Sequence, residues 1–302
     1  MHSLNTSTSS RMTRLAGLVF TAMASTVSVP VVNSQENPSD LPFYPVAAAQ
    51  TNDGITYVVD RNLPGVWKIE GGEATVFFKG SRKYRQPLNA PRCIAIDGDG
   101  RVLVGDSAAR NIFIVEPEKE PRPISSTRIG IPMAIAVDAD QRIHVADLEL
   151  HQILVLEGFQ SEAVPAKKVA SVRAPRGLVV DDENQVWVVT GAKNAIQKIA
   201  PDGTVNPVLE GAGLQYPAGI ALLQDGTLAV SDSYQKTVFK MGDDKKLTRL
   251  VEGEPLVYPV SLASAGGQLI IADSRGGTVW SVNSDGQVTA VYPSSSKPSS
   301  SK

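Results

Sequence analysis

Five aspartates recur at similar intervals along the chain, and their spacing is the first feature that could support chemistry. They are Asp60, Asp106, Asp147, Asp232 and Asp273, and Thr190 stands at the equivalent point between Asp147 and Asp232. Carboxylates gathered around a narrow opening raise one another's pKa or recruit a divalent cation. The spacing therefore predicts a metal site or a set of acid–base groups, if the fold brings these residues to one face.

A structural role is the competing interpretation for the same aspartates. The loop that follows most of these positions carries a basic residue, namely Arg61, Arg110, Lys193, Lys236 or Arg275. An Asp at the end of a strand accepts backbone N–H bonds from the next loop and can also pair with a cation there. A residue that the repeat geometry requires recurs in every unit, whereas a catalytic residue is needed once. We therefore expect these aspartates to cap loops, with metal binding as the alternative.

A proline precedes each of these positions by a nearly constant distance, which indicates an internal repeat. The prolines are Pro45, Pro91, Pro132, Pro175, Pro217 and Pro259, and the last five are 41, 43, 42 and 42 residues apart. Each unit holds four short runs rich in β-branched residues, separated by Gly and Asp-Gly turns that are typical of hairpins. Such a unit is typical of a propeller blade. The sequence therefore predicts an all-β fold, a six-bladed β-propeller of four-stranded antiparallel blades.

The direction of the strands predicts which residues share a face of the propeller. If the first strand of a blade leaves one face, the second returns to it, because consecutive strands are antiparallel. The blade prolines and the late aspartates then lie together on what we call the top face. The hairpin turns at residues 97–100 and 225–226 lie on the opposite, bottom face.

The chain divides into four predicted segments. Residues 1–34 are a secretory signal peptide, because Arg11 and Arg14 precede the apolar run 15–32, which is followed by small residues. A polar lead-in covers 35–42, the propeller covers 43–292 with blades starting near 45, 91, 132, 175, 217 and 259, and a disordered Ser/Pro/Lys tail covers 293–302. We expect a secreted or periplasmic protein with no membrane span after signal removal. A retained N-terminal anchor is the alternative.

Composition narrows the classes of partner. The chain has 29 basic and 31 acidic residues and a net charge of −2, which excludes the basic footprint of a nucleic-acid-binding protein. Cys93 is the single cysteine, so there is no internal disulfide, and it takes the place of a small packed residue in the repeat. His144 and His151 are the histidines that follow the predicted signal peptide, which excludes a zinc site of three histidines.

Residues that break the repeat are the candidates for ligand binding. Arg92 and Arg176 follow their blade prolines directly, so two guanidinium groups are expected at the mouth of the central channel. Tyr234, His151 and Thr190 add to the chemical variety of the top face. This set suits an anionic or polar ligand held by arginine forks. In the alternative, the arginine stems lie across the next blade and their charged heads remain solvated.

The units resemble the NHL-repeat propeller family, whose units read Pro-x-Gly-Ile-Ala-Val-Asp and end in a valine-alanine-aspartate run. The likeness covers about residues 45–292 and is carried by Pro217, Gly219, Ile220, Ala221 and Asp232, and by Pro132, Ala136, Val137, Asp138, Ala146 and Asp147. It implies a rigid binding module whose top-face loops recognise a protein, peptide or carbohydrate. We expect a monomer that needs no cofactor.

More distantly, the chain is similar to the gluconolactonase and senescence-marker-protein propellers. That family binds a divalent cation through a Glu two residues before the first blade proline, an Asn after a mid-chain proline, and a late Asp. Here Asp232 matches the late Asp, Phe43 stands at the Glu position, and Arg176 or Ala218 stands at the Asn position. This resemblance implies the alternative function, a metal-dependent hydrolase of lactones or esters that uses calcium or zinc.

Overall fold

The computed structural model describes residues 42–83, 86–159, 161–211 and 213–293. The predicted signal peptide, the rest of the lead-in and the tail from residue 294 lie outside the described residues. Within them, no helix is long and apolar enough to cross a membrane. The strands group into six sheets of four.

The strands follow one another in chain order without interruption by other elements. The first two blades are β1 (Pro45–Gln50), β2 (Thr56–Asp60), β3 (Gly65–Glu70) and β4 (Glu73–Lys79), then β5 (Pro91–Ile96), β6 (Val102–Asp106), β7 (Asn111–Val115) and β8 (Arg122–Pro123). The next two are β9 (Pro132–Val137), β10 (Ile143–Asp147), β11 (Gln152–Leu156) and β12 (Lys167–Ser171), then β13 (Pro175–Val180), β14 (Val186–Thr190), β15 (Ile196–Ile199) and β16 (Val205–Leu209). The last two are β17 (Pro217–Leu222), β18 (Leu228–Asp232), β19 (Thr237–Met241) and β20 (Leu247–Glu252), then β21 (Pro259–Ala265), β22 (Gln268–Asp273), β23 (Thr278–Val282) and β24 (Val288–Tyr292).

Each sheet is an antiparallel meander of four consecutive strands. The first strands of neighbouring blades contact one another all the way round, in the order β1, β5, β9, β13, β17, β21 and back to β1. The first strands therefore surround the centre of a closed ring. This confirms the predicted six-bladed β-propeller.

The apolar core lies between the blades. The second strands are almost wholly buried, whereas nearly all residues of the fourth strands, at the outside of the ring, are half-buried or exposed. In the part of the chain that the structure describes, six clusters of buried side chains form, and each draws on two adjacent blades. Because both faces of a blade are apolar, each blade is stabilised by its two neighbours.

The first and last blades close the ring through side-chain packing, since no sheet contains strands from both ends of the chain. One cluster combines Val58 and Leu63 of the first blade with Ile270 and Val279 of the last. Next to it, the ring of Phe43 lies edge-on to Tyr292 at 5.1 Å and to Trp67 at 6.4 Å between centroids. These aromatic contacts join the segment before β1 to the final strand.

Every first strand has a register shift near its start, which changes the direction of one side chain. In the second blade Pro91 pairs with Asp106 and Cys93 pairs with Gly105, so that Arg92 between them has no partner. A bulge of this kind redirects the side chain of the extra residue. The equivalent residues of the other blades are Val46, Met133, Arg176, Ala218 and Val260.

We predict that Phe43→Ala lowers the free energy of unfolding by about 2 kcal/mol, because it removes apolar area and two edge-on aromatic contacts at the closure. Urea unfolding followed by tryptophan fluorescence measures the change. The control is Val76→Ala on the outer strand β4, where the side chain is 38% exposed and a loss below about 1 kcal/mol is expected. Equal losses in the two variants would show that these contacts contribute little to closure.

Candidate functional site

The five repeated aspartates are fully buried, at 0–1% exposure, and bind backbone amides. Asp232 is typical: its carboxylate accepts the N–H groups of Gln215 and Tyr216, just before the blade proline, at 2.5 and 3.0 Å. It also accepts the N–H groups of Tyr234 and Gln235, in the loop after β18, both at 3.1 Å. The carboxylate thus ties the entry of the blade to the loop between its second and third strands.

The same arrangement recurs at the other aspartates. Asp273 accepts N–H bonds from Val257, Tyr258 and Gly276 at 2.6, 2.8 and 3.0 Å. Equivalent bonds reach Asp60 from Tyr44, Asn62 and Leu63, Asp106 from Ala90, Ala108 and Ala109, and Asp147 from Gly130, Ile131 and Leu150. This geometry favours the loop-capping interpretation, because the oxygen lone pairs are already directed at donors.

Thr190 caps the loop that follows it but does not bind the entry of its blade. Its buried hydroxyl donates to the carbonyl of Asn194 at 2.8 Å and accepts the N–H of Ala192 at 3.1 Å. It makes no bond to the residues before Pro175, which a longer carboxylate side chain reaches in the other blades. Thr190 does not line the central cavity.

The ion pairs expected between the aspartates and their loop cations are not formed among the described residues. Arg110 pairs instead with Glu149 of the next blade, and Lys193 pairs with Glu210 at 3.3 Å. The guanidinium of Arg275 lies 3.9 Å from the ring centre of Tyr258. The physical reason is that each carboxylate is buried and saturated by backbone donors, while the loop cations remain at the surface.

The residues expected to share a divalent cation with Asp232 do not fit one. Phe43 and either Arg176 or Ala218, at the positions of the two other expected ligands, offer no oxygen ligand from their side chains. Among the described residues, no group of three or more His, Cys, Asp or Glu side chains is arranged to hold a metal ion.

The centre of the ring holds a cavity of about 1070 Å³. All six bulged residues of the first strands line it: Val46, Arg92, Met133, Arg176, Ala218 and Val260. Four arginines line its top, namely Arg61, Arg82, Arg92 and Arg176, and no Asp or Glu is among the described lining residues. We call these four residues the arginine mouth.

The two predicted arginines reach the cavity from the second and fourth blades, which the third blade separates. Arg92 is exposed and donates its Nε to the hydroxyl of Ser107 at 3.1 Å. Arg176 is half-buried, donates to the carbonyl of Pro217 at 3.0 Å, and lies 3.8 Å from the ring centre of Tyr216. Since a guanidinium has five N–H donors, both retain several for a ligand.

Arg61 and Arg82 complete the arginine mouth, and the sequence did not indicate that they line the cavity. Arg61 lies 5.7 Å from the ring centre of Tyr44, and Arg82 donates to the carbonyl of Asn62 at 2.9 Å. Arg61 occupies the repeated loop position whose cation can pair with the preceding aspartate, here Asp60. Arg82 lies in the connection from β4 to β5, which has no repeat pattern that could have indicated its direction.

Three tyrosines form an aromatic cluster beside the mouth. Tyr216 and Tyr234 are stacked at 4.7 Å, and Tyr258 lies 6.3 and 6.1 Å from them. Tyr234, a predicted candidate, is 59% exposed but does not line the cavity. Tyr216 and Tyr258 do line it, and their shared position just before a blade proline was a signal that could have identified them.

His151 and Cys93 have no contact that indicates ligand chemistry. His151 lies in the loop after β10, where its Nδ1 accepts the N–H of Ala174 at 3.3 Å, and it does not line the cavity. Burial raises the pKa of the Cys93 thiol to about 12, so this thiol stays protonated near neutral pH. A protonated buried thiol is a poor nucleophile.

His144 forms a polar cluster at the bottom of the third blade. Its Nε2 lies 2.8 Å from the carboxylate of Asp138, which also accepts the Nε–H of Arg142 at 2.7 Å. Burial tends to raise the pKa of Asp138, but the bonds from His144 and Arg142 outweigh it and lower that pKa. Asp138 is therefore ionised, and a neutral His144 donates to it through Nε2.

We predict that Asp232→Ala lowers the free energy of unfolding by about 3 kcal/mol or more, because four backbone N–H groups lose their acceptor. Thermal and urea unfolding measure the loss. The exposed Asp285 provides the control, since Asp285→Ala is expected to change stability by less than about 0.5 kcal/mol. A folded Asp232→Ala protein of normal stability that has lost a stoichiometric cation would contradict the capping role.

We predict that stability decreases as pH falls below about 6.5, and that His144 contributes to this decrease. Burial lowers the pKa of His144 from 6.5, with the bond to Asp138 partly opposing it, so the unfolded chain binds the proton more readily. The stability that neutral, buried His144 contributes is complete above the pKa of this histidine in the unfolded chain. It is lost as the pH falls through and below that value. Urea unfolding from pH 7.5 to 5 should show a shallower decrease in His144→Gln. The control is His151→Gln, which replaces an exposed histidine and should show the same decrease with pH as the unmodified protein. If His144→Gln also shows an unchanged decrease, His144 does not contribute to it.

Solved structures similar to this chain share its fold. Virginiamycin B lyase from Staphylococcus aureus matches with a TM-score of 0.61 and 15% identity, covering 86% of this chain and 87% of that chain. A nidogen/laminin complex matches at 0.63 and 19%, covering 80% and 90%, and a streptogramin B lyase at 0.58 and 15%, covering 83% and 84%. No protein-family model matches the sequence, and no curated protein does so either. At these identities the likeness supports the six-bladed propeller and no specific activity.

Proposed function

We propose that this chain is a secreted β-propeller that acts as a binding module and holds an anionic ligand at the arginine mouth. The observation that carries the proposal is the charge of the cavity lining, which contains four arginines and no carboxylate among the described residues. None of the four forms an ion pair with a carboxylate in those residues. A ligand can therefore supply the missing anion.

The electrostatic contrast with the rest of the protein supports this proposal. The chain as a whole carries a net charge of −2, yet every charged side chain among the described residues that line its central opening is an arginine. By contrast, Arg101 pairs with Asp97 and Arg142 pairs with Asp138 at the bottom of their blades. A cleft lined by one sign of charge with low-dielectric walls concentrates ligands of the opposite sign.

The arginine mouth is also held in position before any ligand binds. Arg176 is fixed by the carbonyl of Pro217 and the ring of Tyr216, and Arg92 is fixed by the hydroxyl of Ser107. Side chains that are already ordered lose less conformational entropy on binding. A planar guanidinium fork matches carboxylate and phosphate oxygens in a bidentate manner.

The alternative function, a metal-dependent lactonase or esterase-like hydrolase, requires a cation that the residues around Asp232 do not fit. The similarity to two lyase structures concerns the fold, which hosts binding proteins and enzymes alike. Secretion is the part of the proposal that depends on residues 1–34, where Arg11 and Arg14 precede an apolar run. The anionic group can belong to a protein, a peptide or a carbohydrate as readily as to a small molecule.

We predict that the signal-free protein binds benzoate or inorganic phosphate, and that the Arg92→Ala/Arg176→Ala double variant binds it at least tenfold more weakly. The reason is the loss of charge-assisted hydrogen bonds, each worth about 1.5–3 kcal/mol. Isothermal titration calorimetry gives the dissociation constants. The control is Arg249→Ala on the outer strand β20, where Arg249 pairs with Glu252 at 3.1 Å, and its affinity should match that of the unmodified protein.

The same preparation distinguishes the two functions. Metal analysis and a screen of lactone and ester hydrolysis are run beside the titrations. Equal anion affinity in the unmodified and double-variant proteins would overturn the binding proposal. A stoichiometric divalent cation, lost in Asp232→Ala together with hydrolytic activity, would establish the hydrolase instead.

A further inference from the structure

Each bulged arginine contacts the residue that lies 15 positions after it in the sequence. Arg92 donates its Nε–H to the hydroxyl of Ser107, and the guanidinium of Arg176 lies against Gly191. In all six blades this later residue donates its backbone N–H to the carbonyl before the blade proline, as Gly191 does to Ala174 at 2.9 Å. The backbone contact is therefore shared by the blades, and the contact with the arginine depends on the side chain at this position.

Gly191 differs from its counterparts because it has no side chain. The backbone does not require glycine here, since the φ of Gly191 is outside the left-handed region. The equivalent residues of the other blades all carry side chains, and they are Arg61, Ser107, Leu148, Ser233 and Ser274. The glycine is therefore explained by the space that it leaves and not by backbone strain.

A side chain at position 191 would meet the guanidinium of Arg176. A Cβ on Gly191 would lie 2.7 Å from Nη2, 2.9 Å from Cζ and 3.0 Å from Nε of that arginine. These separations are well below the optimal contact of about 3.5–4.0 Å between carbon atoms. The three distances are nearly equal, so the Cβ would lie over the face of the guanidinium and not at its edge. Gly191 thus leaves room for the flat side of Arg176.

Two further contacts hold the same guanidinium. Its Cζ lies 3.8 Å from the ring centre of Tyr216, and its Nη1 donates to the carbonyl of Pro217 at 3.0 Å. A planar guanidinium stacks on an aromatic face and still presents N–H donors along its edge. Arg176 is half-buried in this arrangement, whereas Arg92, beside a serine, is exposed.

We infer that Gly191 is a positioning residue for anion binding, because its lack of a side chain lets Arg176 lie flat against Tyr216 while lining the cavity. Gly191 itself does not line the cavity and therefore acts through Arg176. The inference rests on the proposed function and identifies what orients one of its cations. An arginine that is already ordered loses less conformational entropy when it binds a carboxylate or phosphate.

The experiment compares inorganic phosphate binding by the signal-free protein and its Gly191→Ala variant, using isothermal titration calorimetry. We expect Gly191→Ala to weaken phosphate binding by about two- to tenfold, the cost of ordering one long side chain on binding. The urea midpoint should stay unchanged, because the end of the arginine side chain can move away from the added methyl group. The matched control is Gly242→Ala in the turn after β19, where a Cβ would lie 3.9 Å from Thr227. Gly242→Ala should bind phosphate as the unmodified protein does.

A double-mutant cycle separates positioning from a general structural role. In the Arg176→Ala background, Gly191→Ala should cause no further loss of phosphate affinity, since the side chain that it displaces is already absent. An equal loss with and without Arg176 would show that Gly191 does not act through this arginine, and the inference would be overturned.

The position of Arg176 can also be measured without a ligand. Protons near the face of an aromatic ring resonate upfield, so the Nε–H signal of Arg176 should be shifted by Tyr216 in a ¹H–¹⁵N spectrum. The signal is assigned by its absence in Arg176→Ala. We expect Gly191→Ala and Tyr216→Leu to remove the upfield shift, and Gly242→Ala and Tyr216→Phe to keep it.

The outcomes separate this inference from the proposed function. If phosphate binding depends on Arg92 and Arg176 but is equal in Gly191→Ala and the unmodified protein, the binding function stands and the role of Gly191 is wrong. An unmoved Arg176 signal in Gly191→Ala also overturns that role. If no anion binds in a manner that depends on the arginines, the proposed function itself fails, and the role of Gly191 in binding fails with it.

Discussion

Both faces of each blade carry apolar side chains, and this burial requirement governs the rest of the molecule. A single four-stranded sheet would leave one or both faces in water, so stability depends on contact with a neighbour on each side. The six interblade clusters satisfy the requirement, and the last of them, with Ile270 and Val58, joins the two ends of the propeller. Since no strand is shared across that closure, packing alone holds the ring and therefore sets the width of the central cavity.

On the top face, the residues that repeat in the blades stabilise the backbone, whereas the residues that differ between blades line the channel. The aspartates bind backbone amides in five blades because each of those blades must connect its entry to the same loop. Their burial withdraws their oxygens from the cavity. The residues that differ between blades, such as Arg92, Met133 and Arg176, stand at the bulges and face the channel. Regular positions thus build the scaffold, and irregular positions give its opening a chemical character.

Pairing with a carboxylate distinguishes Arg101 and Arg142 from the arginines of the mouth. Arg101 and Arg142 are held by buried carboxylates at the bottom of their blades, where they complete hairpins. Arg176 is held by a carbonyl and an aromatic ring, which orient the guanidinium without neutralising it. An oriented charge without a counterion can be neutralised when an anionic ligand binds. The top of the channel is therefore where recognition chemistry concentrates.

Sequence alone determined the architecture, the number of blades and the placement of proline and aspartate on one face, because strand alternation and turn chemistry are local and periodic. It also indicated that Arg92 and Arg176 lie at the mouth of the channel, since departures from a repeat are visible in the repeat itself. Only the tertiary structure decided that the aspartates bind backbone amides. It also decided that Arg61 and Arg82 line the same cavity as Arg92 and Arg176. The reason is that the direction of a loop side chain depends on ring closure and on connections of irregular length, and neither has a periodic signature in the chain.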